Sequence, residues 1–249
     1  MSQSARAAGR AGGSLSYRLL ETFEGLFRGV VYKHRDSRLG NLVAVELYED
    51  LYAVGISSKF ASHVTGPPNC VVNAAGKTHG VAARRGDGKF GPVVPGTPKV
   101  MNPGSVIPRG VIGLAYVGVE VKIAAKSQLK QIDRVITDLT SSANSLKAKS
   151  PKAITVGIAG VNYSPQYIGY EGSRTFPVVR TRRQAEREAE EVSRRLRELA
   201  APAFDELVLL KFVATNAGGF PFRWVSSRAA IADYGAALVR ISALYDARF

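Results

Sequence analysis

The chain contains five stretches in which apolar residues recur at helical spacing. In the first of them, Leu19, Leu20, Phe23 and Phe27 would share one face of a helix. Together the stretches predict helices at about 19–27, 41–54, 126–146, 182–199 and 229–245. The fourth carries Arg and Glu residues three and four positions apart, which is typical of a solvent-exposed face with intrahelical ion pairs.

Three other stretches have the patterns of β-strands. Between 114 and 123, Val and Ile alternate with polar or small residues, and side chains two positions apart on a strand point to the same face. The stretch 154–161 is almost continuously apolar, as is typical of a strand buried on both faces. A third strand is predicted at 206–215.

The order of these elements predicts an α/β protein with a central mixed β-sheet flanked by helices. Residues 66–109 are rich in Gly and Pro, with short β-like runs at 70–74 and 80–84, and they predict irregular strands and long loops. The Gly and Pro residues mark boundaries between secondary-structure elements and not a boundary between two domains. We therefore predict a single domain over 17–249. Residues 1–16 are rich in Ser, Ala, Gly and Arg and predict a disordered basic tail.

Charge points to a polyanionic partner. The chain of 249 residues has 34 Lys and Arg against 20 Asp and Glu, giving a net charge of +14. Such an excess raises affinity for phosphates, so nucleic acid is the first expectation and a merely solubilising basic surface is the alternative. The sequence has no run of about 18 apolar residues, and no membrane segment is predicted. We expect a cytoplasmic protein.

The chain has few cysteine and histidine residues, which are the usual ligands of zinc and other transition metals. Cys70 is the only cysteine, which excludes an intramolecular disulfide and a cysteine-rich zinc site. The three histidines are scattered at positions 34, 63 and 79, so a histidine-based metal site is not expected. Carboxylates are therefore the candidate ligands for any cation.

Glu120 and Lys122 are the strongest candidate chemical groups. Both lie on the strand predicted at 114–123 and project from one face with Gly118, which would leave room there for a phosphate or a metal ion. Burial of a carboxylate and an ammonium in a strand of Val and Ile is unfavourable unless they are paired or bind a ligand. The alternative is a salt bridge on an exposed edge strand.

A divalent cation usually requires one or two carboxylates in addition to water and substrate oxygens. Between Asp50 and Glu120 the chain has one acidic residue, Asp87, flanked by Gly86 and Gly88. Asp87 is the predicted second ligand, although an Asp-Gly hairpin turn explains the same dipeptide equally well. Glu49 and Glu46 are the reserve candidates.

Glu120-Val121-Lys122, preceded by an acid and followed by a helix with glutamines, resembles the PD-(D/E)xK nuclease superfamily. The resemblance implies a restriction-endonuclease-like core of a helix, three strands, a helix and a strand. It also implies that Glu120 binds a metal ion and that Lys122 orients water. Gln131, with Gln128 as the alternate, is similar to a glutamine near the active site of the lambda-exonuclease-like branch. This chain departs from the pattern, since no Pro-Asp precedes Glu120 and Asp87 lies 33 positions upstream.

The predicted function is Mg²⁺-dependent hydrolysis of DNA phosphodiesters, with Mn²⁺ as a substitute, by a nuclease of restriction, phage defence or repair. The predicted catalytic residues are Asp87, Glu120, Lys122 and Gln131, and the predicted metal ligands are Asp87, Glu120 and Glu49. The competing hypothesis is a catalytically inactive nucleic-acid-binding protein that retains the nuclease fold. The sequence leaves a homodimer open.

One aromatic segment has two interpretations. Tyr163, Tyr167 and Tyr170 directly follow the strand predicted at 154–161. Tyrosines in this position could stack on unpaired bases. They could also anchor a loop, which is the interpretation we favour.

Overall fold

A computed structural model describes residues 16–33, 36–73, 87–126 and 128–249. The tail predicted at 1–16 lies outside the described residues except for Ser16, and so does the β-like run predicted at 80–84.

Six α-helices are present in the part of the chain that the structure describes, and side chains cap several of them. Asp36, Ser57, Thr181 and Ser226 each accept a hydrogen bond from a backbone N–H of the first helical turn, which stabilises the helix start. The helices are α1 (Arg18–Gly25), α2 (Ser37–Val54), α3 (Ser58–Thr65), α4 (Gln128–Lys149), α5 (Arg182–Arg195) and α6 (Ser227–Arg248).

Six of the eight described strands form one mixed sheet, and two form a separate hairpin. The strands are β1 (Cys70–Asn73), β2 (Gly88–Pro92), β3 (Val117–Ala124), β4 (Ile154–Asn162), β5 (Gln166–Glu171), β6 (Arg174–Val179), β7 (Glu206–Ala214) and β8 (Phe222–Trp224). The sheet order is β1-β2-β3-β4-β7-β8, and β5 pairs with β6. β3, β4 and β7 are parallel, whereas the other neighbouring strands are antiparallel.

The sheet lies between two layers of helices. On one face α1, α2, α3 and α6 pack their apolar residues against β3, β4 and β7, and on the other face α4 and α5 form a second buried cluster with β4. Every residue of β4 is buried, as its continuous apolar sequence predicts. None of the helices in the described ranges is both long and apolar enough to cross a membrane.

This architecture confirms the predicted α/β class with a mixed sheet flanked by helices. The five predicted helices and the three predicted strands are all present, with ends shifted by a few residues. β1 lies in the β-like run predicted at 70–74, whereas the sequence does not predict α3, β2, β8 or the β5–β6 hairpin. In β2, Gly88-Lys89-Phe90-Gly91-Pro92 has no readable alternation, and the segment becomes a strand because β1 and β3 pair with its two edges.

Candidate functional site

Glu120 and Lys122 form a close ion pair on the face of β3 that packs towards α4. Lys122 Nζ lies 2.6 Å from Glu120 Oε1. Glu120 is 6 % exposed, whereas the side chain of Lys122 is 32 % exposed. The pair therefore reaches from the protein interior to solvent, with the carboxylate on the buried side.

Asp87 lies beside the Glu120–Lys122 pair. It directly precedes β2, whose antiparallel register with β3 starts at Gly88 and Val119. Asp87 Oδ2 accepts a hydrogen bond of 2.8 Å from the backbone N–H of Val121. The carboxylate thus satisfies a donor of β3 at the point where β2 begins.

The first turns of α2 leave space for this carboxylate only because Gly40 has no side chain. A Cβ atom at Gly40 would lie 2.7 Å from Asp87 Oδ1, closer than such atoms approach in folded proteins. Asp87 is therefore enclosed between α2 and β3. This packing explains why burial raises its pKa, although the Val121 N–H and Lys122 both oppose the rise.

The electrostatics of Glu120 are strongly perturbed. Burial raises its pKa from 4.5 to about 7; Lys122 opposes this rise and Asp87 adds to it. The hydroxyl of Ser142 also favours the ionised form, but Glu120 Oε2 is buried and has no partner in good hydrogen-bonding geometry among the described residues. Burial disfavours the charge of Lys122, and the two carboxylates more than compensate, so the pKa of Lys122 is raised.

The mutual repulsion of Asp87 and Glu120 and the unsatisfied Oε2 are the features that a divalent cation would relieve. Among the described residues, no group of three or more His, Cys, Asp or Glu side chains is arranged to hold a metal ion. A cation at this place would thus have two protein carboxylates, and water or substrate oxygens would complete its shell, as is common for Mg²⁺.

A narrow cavity of about 70 Å³ lies behind Glu120, between the sheet and α4. Its walls include Lys89, Ser142 and Lys149. Lys89 is 8 % exposed, and its pKa is lowered by burial and by Lys149, while Glu120 opposes the change. The carboxylate therefore has a cation on its buried side as well as Lys122 on its solvent side.

The space next to Gly118 is occupied. A Cβ atom there would collide with Cδ2 of Leu146 on α4. The prediction that Gly118 leaves room for a phosphate or a metal ion is wrong, because the missing side chain instead allows α4 to pack closely on β3.

The remaining predicted site residues have other surroundings. Glu49 is buried and accepts hydrogen bonds of 3.0 and 3.1 Å from the backbone N–H groups of Val106 and Ile107. Glu46 pairs with Arg18. Both carboxylates thus hold α2 to its neighbouring segments, and neither lies in the cluster of Asp87, Glu120 and Lys122.

The glutamines predicted from the resemblance lie in the first turn of α4. Gln131 is exposed to solvent. The side chain of Gln128 lies outside the described residues. Asp87, Glu120 and Lys122 are therefore the predicted residues that the structure brings together.

Lys89 and Ser142 were not identified from the sequence. Lys89 is the second residue of β2, a strand that the Gly-rich sequence does not predict. Ser142 lies in the middle of α4, where nothing in the sequence distinguishes it.

Comparisons with protein-family models, with curated proteins and with solved structures found no significant match to this chain. Its function must therefore be inferred from the site itself.

Proposed function

We propose that the chain is a Mg²⁺-dependent deoxyribonuclease of the PD-(D/E)xK type. The observation that carries the proposal is the position of Asp87, which accepts a hydrogen bond from the N–H of Val121, the residue between the ion-pair partners Glu120 and Lys122. An acid 33 positions upstream of Glu120 is thus bound to the strand that carries the second acid and the lysine. This is the set of groups that metal-assisted phosphodiester hydrolysis requires.

The connection of the elements supports the same assignment. The helices α2 and α3 precede the antiparallel strands β1, β2 and β3, and α4 then leads to β4, which is parallel to β3. With α3 as an addition between the first helix and the strands, this order supports the core that the resemblance implies. The long connection between β2 and β3 accounts for the 33-residue separation of Asp87 and Glu120.

The residues fit a divalent cation. Asp87 and Glu120 would hold it, since both are carboxylates whose pKa is raised and Glu120 Oε2 has no partner among the described residues. When bound, Mg²⁺ or Mn²⁺ supplies charge neutralisation at the phosphate and lowers the pKa of water. Lys122 Nζ, on the same face, orients the attacking water and stabilises the negative charge that develops on the phosphate.

DNA as the substrate is supported by the charge of the chain. A net charge of +14 attracts a polyphosphate backbone over a distance set by the salt concentration. The same charge would also serve a protein that binds nucleic acid without cutting it, so binding alone does not establish the activity.

The test is cleavage of supercoiled and linear duplex DNA in Mg²⁺, Mn²⁺ or EDTA. Wild-type protein should cut only with a divalent cation, and Asp87→Asn, Glu120→Gln and Lys122→Ala should each lower the rate by at least about 100-fold. Lys152→Ala, which removes an exposed lysine next to the start of β4, is the matched control and should cut normally.

Metal-dependent cleavage that survives all three site substitutions would reject the assignment. DNA binding without cleavage by the wild-type protein would instead favour the catalytically inactive binding protein. Glu49→Gln separates the two candidate second ligands, because it should keep activity in folded protein whereas Asp87→Asn should not.

A further inference from the structure

The β5–β6 hairpin extends from the edge of the protein at which β3 and β4 end. It is inserted between β4 and α5 and forms its own two-stranded sheet. β3 and β4 are parallel, so their carboxyl ends lie side by side, and Lys126 follows the end of β3. The hairpin and the strand that carries Glu120 and Lys122 therefore share one edge of the molecule.

The base of the hairpin is fixed to the domain. Tyr167 is buried, and the backbone N–H of Ile168 donates a hydrogen bond of 2.9 Å to the carbonyl of Thr215. Asn216 donates to the carbonyl oxygens of Ile168 and Tyr32, at 2.8 and 2.9 Å. A base held in this way gives the exposed strand a defined direction.

The burial of Tyr163 and Tyr167 also decides whether these tyrosines stack on bases or anchor the loop. Tyr163 is buried, and its hydroxyl donates to Glu190 Oε1 at 2.8 Å. These two tyrosines anchor the segment, as we favoured, and neither ring is available to stack on a base.

The outer strand β6 is exposed along most of its length. Phe176 is 38 % and Val179 is 75 % exposed. Pro177 is paired in register with Ile168, whose own N–H points away from β6. In that register the nitrogen of Pro177 faces the free edge and has no hydrogen to donate, which disfavours the addition of a further strand. A peptide that extends the sheet is thus a poor partner for this surface.

Cations surround the exposed strand. Lys126 crosses the hairpin with its side chain against Gly169 and its ammonium 4.5 Å from the centre of the Phe176 ring. Arg174 is exposed at the beginning of β6, and Arg183 is exposed in the first turn of the following helix. Glu171, in register with Arg174, is the acid of the hairpin, so the three cations leave an excess of positive charge, which complements a polyanion rather than an apolar or basic partner.

We propose that the β5–β6 hairpin enters the major groove of duplex DNA, with Arg174 at the base edges and Lys126 on a phosphate. Two paired strands lie about 4.8 Å apart, and with their side chains they require a groove of about 10 Å. The major groove is about 12 Å wide and admits a two-stranded ribbon, whereas the minor groove is about 6 Å wide. The proposal rests on the proposed function, and it assigns substrate recognition to an element outside the catalytic cluster.

The experiment measures binding of a labelled DNA duplex in EDTA, where cleavage is prevented, over a range of salt concentrations. Lys126→Ala should weaken binding several-fold and reduce the slope of log affinity against log salt by about 0.9. Arg174→Ala should weaken binding about 10-fold and should abolish the difference between ordinary duplex and duplex with 7-deazapurines, which lacks the N7 acceptors of the major groove. Lys152→Ala is the matched control and should leave both quantities unchanged.

Equal losses in all three variants would overturn the inference, because they would indicate non-specific attraction to a basic protein. Normal binding by Lys126→Ala and Arg174→Ala in a protein that still cuts DNA would overturn it while leaving the nuclease assignment intact. Failure of the wild-type protein to bind duplex DNA would reject both. Tighter binding of single-stranded DNA or duplex RNA than of duplex DNA would also reject a major-groove role.

Discussion

Replacement of Glu120 by Gln removes a buried negative charge while it keeps the size and shape of the side chain. The pKa of Glu120 is raised from 4.5 to about 7, chiefly by burial. At about 1.4 kcal/mol per unit, the ionised carboxylate lowers the stability of the fold by about 3 kcal/mol above neutral pH. The attraction of Lys122 opposes the rise and is already included in this shift. We expect Glu120→Gln to be more stable than wild type by about 2 to 3 kcal/mol at pH 8.

The gain should depend on pH in a defined direction. Between the unfolded value of 4.5 and the folded value of about 7, the folded wild-type protein binds more protons than the unfolded chain. Wild-type stability attributable to this group therefore falls as pH rises through that window and levels off above it. Glu120→Gln lacks the titration, so the difference between the two proteins should be small at pH 4.5 and largest at pH 8.

Thermal unfolding in metal-free buffer from pH 4.5 to pH 8 measures the effect, at about 2 to 4 °C per kcal/mol for a chain of this length. Glu49→Gln is the matched control, since Glu49 is equally buried but accepts two backbone hydrogen bonds. It should lose about 1 to 3 kcal/mol at pH 8. A Glu120→Gln protein that is less stable than wild type at pH 8 would refute the reasoning and would make Glu120 a structural anchor for Lys122.

Three further predictions concern the scaffold. Burial opposes ionisation of Asp205, but its hydrogen bonds with Arg248 and Thr155 lower its pKa from 3.8 to about 2. Asp205→Asn should therefore lower the free energy of unfolding, measured in urea at pH 7, by about 2 kcal/mol. An equal loss of stability at pH 2 would contradict this account. Gly118→Ala should cost about 1 to 3 kcal/mol through its collision with Leu146, and Leu146→Ala in the same chain should not add its full separate cost. Asn216→Ala should expose the β5–β6 hairpin to limited proteolysis before the rest of the domain unfolds, and uniform protection would count against the anchoring role of this side chain.

Periodicity predicted the elements whose residues carry their own pattern. β4 is almost continuously apolar because helices cover both of its faces, and α2 has a continuous apolar stripe because it packs on β3. β2 and the hairpin have no such pattern. The side chain of Ala44 packs closely against Gly88, and the backbone of Leu114 packs closely against Gly91, so neither position has room for a larger residue. Strands of this kind are specified by their neighbours, so a sequence read segment by segment does not predict them.

The site residues were likewise predictable only where they lie on a strand that the sequence identifies. Glu120 and Lys122 were found because their spacing on a recognisable strand fixes their common face. The contact of Asp87 with β3 depends on the position of β2, a strand that the sequence does not predict, and the distance of Asp87 from Glu120 along the chain is no guide to their distance in space. The charge and helix position of Glu49 predict a metal ligand, whereas its hydrogen bonds to the loop depend on a tertiary contact that its local sequence does not encode.

The contrast between Glu49 and Glu120 separates a structural carboxylate from a candidate functional one. Both side chains are almost completely buried, so burial does not distinguish them. Glu49 has backbone donors for both oxygens, and its contacts hold the loop before β3 to α2. Glu120 has a lysine on one oxygen, no well-formed hydrogen bond among the described residues on the other, and a second acid bound to the N–H of the next residue of its strand. In a structural site, the fold itself supplies hydrogen-bond partners for every buried polar atom. A buried carboxylate that lowers stability and lacks such a partner is expected where a bound ligand supplies it. The open oxygen of Glu120, beside Lys122 and Asp87, is therefore the feature from which a bound cation is inferred.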